Sequence, residues 1–105
     1  MQLSSLVETF QAGGKMTDFP FAQKKIDDTI IREFLSSVNS EELVWHRDKK
    51  DRNVKVCEGE GWQLQMENKL PFDLVTGENY YIPRNTYHRV IKGKSSLIVE
   101  IKEST

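Results

Sequence analysis

From Phe21 onward, apolar and polar residues alternate in short runs instead of recurring at helical spacing. Val54 and Val56 alternate with Asn53 and Lys55, and Val99 and Ile101 with Glu100 and Lys102, as in antiparallel strands with one buried face. The pattern predicts strands at Phe21–Ile26, Ile30–Leu35, Glu42–Arg47, Arg52–Glu58, Trp62–Glu67, Leu70–Val75, Tyr80–Ile82, Tyr87–Lys92 and Leu97–Lys102. Turn-forming residues separate them at Asn39-Ser40, Glu58–Gly61, Asn68-Lys69, Thr76-Gly77, Arg84–Thr86 and Gly93–Ser96. Strands this short and this regularly punctuated indicate a sandwich or barrel. The Ile30–Phe34 run also fits a single helical turn.

The first residues follow a different rule. Leu3, Leu6, Val7 and Phe10 share one helical face, Ser5 and Glu8 have capping-box spacing, and Gly13-Gly14 would stop the helix. So short a helix needs a surface to pack on, either the barrel or a second subunit, and a frayed tail is the alternative. We therefore expect an extension over residues 1–20 and a single β domain over 21–105.

Composition narrows the partners. The net charge is −1 over 105 residues, and lysines and arginines are interspersed with acids, which leaves no basic footprint for nucleic acid or an anionic membrane. The single cysteine, Cys57, allows no intrachain disulfide and reads as a small core thiol. With no signal-peptide pattern and no spanning segment, the expected location is the cytoplasm.

Candidate chemistry sits in two blocks. Trp45–Gly61 reads WHRDKKDRNVKVCEGEG and Gly77–His88 reads GENYYIPRNTYH; the two histidines of the chain, His46 and His88, lie one in each. Together the blocks resemble the two sequence motifs of the cupin superfamily. The resemblance implies an all-β double-stranded β-helix, a jelly-roll barrel that commonly dimerises and usually holds a metal. In that family the first motif supplies two histidines one residue apart and then a glutamate, and the second motif supplies a third histidine. Here His46 stands at the first ligand position, Asp48 at the second histidine, Arg52 at the glutamate and His88 at the last position. Gly77 and Pro83 also match, Asn85 stands where glycine is common, and Lys92 replaces a trailing asparagine.

The spacing has a geometric meaning of its own. Residues two apart on a strand share a face, so His46 and Asp48 can enter one cavity, with His88 arriving from another strand. Two imidazoles and a carboxylate suit Fe(II), Mn(II), Ni(II) or Zn(II) and leave coordination positions open. Arg52 cannot ligate a metal. Either it pairs with Asp48, orienting that carboxylate or receiving an anionic substrate group, or it replaces the metal outright. Asp51 is no substitute for the missing glutamate, because one residue along a strand reverses the face.

The run Trp62–Glu67 admits two arrangements. Trp62, Leu64 and Met66 fill the core with Gln63 and Gln65 in water, or Gln63 and Gln65 line a substrate pocket to which Tyr87 adds its hydroxyl. Two functions stay open. One is a metal-dependent enzyme acting on a small polar molecule, with Arg52 in its catalytic site; for a cupin this implies dioxygenase, isomerase or lyase chemistry. The other is a metal-free module that binds a small ligand or serves as a dimeric adaptor.

Overall fold

The computed structural model describes residues 20–104. The expected N-terminal helix and its capping box lie outside the described residues. Within them the chain forms eight strands: β1 (Ala22–Ile26), β2 (Thr29–Phe34), β3 (Asp51–Glu58), β4 (Gln63–Met66), β5 (Phe72–Asp73), β6 (Asn79–Ile82), β7 (His88–Ile91) and β8 (Leu97–Ser104). They pair antiparallel into a five-stranded sheet, β1-β2-β8-β3-β6, and a three-stranded sheet, β5-β4-β7. No helix among the described residues is long and apolar enough to cross a membrane.

The period of two decides what each sheet contributes to the space between them. From the larger sheet Phe34, Val54, Val56, Ile82, Leu97, Val99 and Ile101 turn inward, and Leu64 and the half-buried Val90 meet them from the smaller. Trp62 is fully buried in this core; its indole N–H donates to the Ser95 carbonyl at 2.7 Å and its ring packs on Phe34. On the opposite face of the larger sheet Cys57 packs with Ile31 and Ile98. Burial, reinforced by Glu100, pushes its thiol pKa up, which suits a packing role.

One expected strand is absent. Where Glu42–Arg47 was read as a strand, Ser40–Glu42 forms one 3-10 turn, started by the Asn39 side chain accepting from the Glu41 N–H at 3.0 Å. Leu43 is then buried, and His46 alone makes a ladder-like contact, an antiparallel bridge to His88. The asparagine cap wins over the alternation because only one apolar side chain in this run, Leu43, reaches the core. The Ile30–Phe34 run is strand and not helical turn.

Candidate metal centre and its cavity

The two histidines are brought together by backbone. His46 N–H donates to His88 O at 3.0 Å and His88 N–H donates to His46 O at 2.8 Å, a directly opposed pair that puts both side chains on the same face. Each ring is then fixed by a carbonyl two residues earlier: Nδ1 of His46 meets Val44 O at 3.1 Å and Nδ1 of His88 meets Thr86 O at 2.8 Å. A carbonyl only accepts, so Nδ1 carries the hydrogen in both rings and both Nε2 lone pairs remain available.

Asp48 arrives through a different device. The turn after Pro83 reaches back to the loop before β3: Asn85 N–H donates to Asp48 O at 2.7 Å, and Arg84 N–H to the Asp51 carboxylate at 2.8 Å. Asn85 accomplishes this in the left-handed region, φ 60°, a conformation asparagine tolerates better than most residues. The same turn supplies the Thr86 carbonyl that orients His88. A single segment therefore positions two of the three groups.

Asp48 Oδ2 lies 3.4 Å from His88 Nε2 and 3.2 Å from Arg52 Nη1, yet this buried oxygen accepts no well-formed hydrogen bond. Burial alone would raise the Asp48 pKa; His88 in its protonated form and the Arg52 guanidinium beside it outweigh that and hold it below its ordinary value. His46, at the rim, is held below its ordinary pKa chiefly by burial of its ring, with His88 adding to the effect. One ligand atom from each of His46, Asp48 and His88 falls within 4.8 Å of the others. Two Nε2 lone pairs and a carboxylate oxygen without a hydrogen bond are the donor set a divalent transition ion takes.

Arg52, one register step inside β3, is fully engaged. Its Nε and Nη2 donate to Glu103 Oε2 at 2.9 and 2.7 Å while Nη1 faces Asp48. Glu103 stands directly opposite Arg52 on β8. Sequence reasoning missed this partner, which lies 51 residues away along the chain.

The site opens into a cavity of about 370 Å³ between the sheets, lined largely by apolar side chains. Gln63, Gln65 and Tyr87 do not line it, which corrects their assignment to a substrate pocket. Leu64 is buried toward the core, so its neighbours on β4 must point away. Gln63 binds Asp73, Gln65 accepts from Arg89 at 3.0 Å and donates to Lys69 O, and exposed Tyr87 lies under the Arg47 guanidinium. Instead a second arginine, Arg32 of β2, lines the cavity. Its place inside the apolar run TIIREF, with Ile30 and Phe34 on the same strand face, was the available signal.

No protein-family model and no curated protein matches the sequence. Solved structures do match the fold. A cupin domain from Bordetella pertussis superposes with a TM-score of 0.60 at 20% identity, covering 87% of this chain and 100% of that one. Fe(II) HppE gives 0.62 at 15% identity over 80% of this chain, and DMSP lyase structures give 0.64 at 13% over 73%. The fold is the cupin fold. This cupin barrel spans only 48% of the HppE chain and 37% of the DMSP lyase chain. His46, Asp48 and His88 converge inside it, and Arg52 turns toward the carboxylate group of Asp48.

Proposed function

We propose that this cupin barrel holds a divalent transition metal through His46 Nε2, His88 Nε2 and the Asp48 carboxylate, and acts on a small molecule in the adjoining cavity. The observation that carries the reading is the 4.8 Å convergence of three ligand atoms, with each Nδ1 already committed to a carbonyl. The likeness to Fe(II) HppE supports it, as does a CoII form of the same protein. Bound there, a divalent ion supplies a Lewis-acid centre with positions left for substrate or water.

The chain's own groups have separate tasks. Arg52, secured by Glu103, sits against the Asp48 carboxylate and balances its charge, and with its donors taken by these two carboxylates it has none left for the ligand. The apolar walls give a hydrocarbon portion of the ligand a surface to bury against. A second reading follows from the same contacts: Asp48 is already neutralised by Arg52 at 3.2 Å, so a metal-free binding cavity is also self-consistent.

Elemental analysis of untagged protein separates the two. One equivalent of a transition metal, lost in both His46→Ala and His88→Ala, is expected. Added metal should also raise Tm in a concentration-dependent way, because only the native state assembles the site. Absence of metal, with Tm unmoved by Fe(II), Mn(II), Ni(II), Co(II) or Zn(II), would overturn the reading in favour of the metal-free module.

A further inference from the structure

The two arginines of the cavity stand in opposite situations. Arg52 has two carboxylates, Asp48 and Glu103. Arg32 has no carboxylate partner among the described residues. Its Nε and Nη2 both donate to the Gln23 side-chain oxygen, at 2.9 and 2.8 Å, from the residue directly opposite on β1. Phe21 supports the guanidinium face, 3.9 Å from ring centroid to Cζ. These contacts fix the plane of the group and use one edge, leaving the end-on edge of Nη1 and Nη2 with two parallel N–H donors unengaged.

A fixed, partly desolvated cation is costly in an apolar cavity when the nearest carboxylates, Asp48 and Glu103, attract it but are in contact with another arginine. Burial, followed by repulsion from Arg52, brings the Arg32 pKa down to about 10, so it stays charged at neutral pH. Two guanidiniums, Arg32 and Arg52, face three carboxylates, Asp48, Glu103 and the rim Glu42, so a divalent ion would turn the balance positive. Its walls, including Val54, Leu74, Val90 and Val99, are apolar.

We propose that Arg32 is the ligand-anchoring residue of this cavity and that the ligand is a small carboxylic acid with an apolar body, its carboxylate on the open guanidinium edge and its body against the walls. A carboxylate matches that edge in shape and charge. A phosphate dianion fits less well, because Asp48 and the exposed Glu42 at the rim also face the cavity. The inference rests on the reading of this cavity as a ligand site beside a metal, which it deepens by naming the substrate class.

The test is a calorimetric titration of Zn(II)-loaded and zinc-free protein with hexanoate, hexanamide, hexylamine and hexyl phosphate. Hexanoate is expected to bind at least about tenfold more tightly than the amide or amine. Arg32→Gln should bring the acid down to the level of the amide while zinc stoichiometry is unchanged, and Arg32→Lys should fall between. Gln23→Leu, which frees the guanidinium to rotate, should weaken the acid without affecting the amide, and it serves if Arg32→Gln fails to fold. Equal binding of acid and amide, no binding, or stronger binding of hexyl phosphate would overturn the proposal. So would an acid preference that survives Arg32→Gln, since the carboxylate would then sit on the metal. If the protein takes up no zinc but the Arg32-dependent preference persists, the metal reading fails and this one stands; zinc uptake without the preference removes this one alone.

Discussion

His46 and His88 are joined through their backbones as one directly opposed antiparallel pair, with ring centroids 4.3 Å apart. The contact that brings the imidazoles together therefore does not depend on the imidazoles. Removing either ring leaves both interchain-style hydrogen bonds of the bridge in place, so metal uptake and folding can be tested separately.

Zinc-free His88→Ala should lose about 2 kcal/mol of stability, since its side chain is 5% exposed and bonded to Thr86 O. Zinc-free His46→Ala should stay within about 0.5 kcal/mol of the parent, because that ring sits at the rim. Both should lose metal binding to the same degree. Urea unfolding with chelator present, set beside metal titrations, checks the contrast; equal destabilisation would mean the rim ring is packed like the inner one.

Arg52→Gln should lower zinc-free stability by about 2 kcal/mol, because Asp48 and Glu103 are left without their shared cation; the side chains of Arg52, Asp48 and Glu103 are 13%, 16% and 25% exposed. The same change should tighten zinc binding by roughly tenfold, since a positive charge next to a ligand carboxylate is gone. Metal should then restore much of the lost stability. A weaker zinc affinity in Arg52→Gln would show that Arg52 is needed to hold Asp48 in its ligating position.

Acid should destabilise the zinc-free protein in two stages. His46, depressed from 6.5, and Asp48, depressed from 3.8, both bind protons more readily in the unfolded chain, so stability rises with pH through each window. The His46 contribution is complete above pH 6.5 and fades as pH drops through its lower folded value; the Asp48 contribution fades only below pH 3.8. Tm measured between about pH 3 and pH 8 should fall on acidification, and His46→Gln should flatten the upper stage. A Tm that climbs as pH drops below 6.5 would contradict the assigned directions.

Two glycines in connections that cross between the sheets should respond very differently to alanine. A Cβ at Gly93 would sit 2.4 Å from Glu60 O and 2.5 Å from Trp62 N, backbone atoms that cannot turn aside, so Gly93→Ala should cost more than about 3 kcal/mol. At Gly77, φ is +91° and nothing lies within 4 Å, so the cost is conformational strain of about 1 kcal/mol. Chemical denaturation of the two variants distinguishes steric from dihedral penalties.

Much of this architecture was legible in the chain because strand alternation and turn chemistry are local. The valines of β3 and β8 and the Pro83–Thr86 turn were each readable from neighbouring residues, including the left-handed Asn85. The strand expected at Glu42–Arg47 failed where a cap by Asn39 outweighed alternation. For Gln63 and Gln65 alternation left two arrangements open, core-facing or water-facing, and the burial of Leu64 decides for water. Arg32 and Glu103 stayed hidden because a charged residue in a strand ordinarily reads as solvated, and their partners come from other strands. Only the pairing β1-β2-β8-β3 reveals that one arginine is spoken for and the other is not.

Among the described residues the β1–β2 hairpin lies at the border of the larger sheet, and β1 has a strand neighbour on one side only. It carries Arg32 and its Gln23 brace, while His46, Asp48 and His88 lie on β7 and the loop ahead of β3. The two halves of recognition thus belong to separate pieces of scaffold. Changes confined to the hairpin would therefore alter the surroundings of Arg32 while leaving the three donor side chains on their own supports.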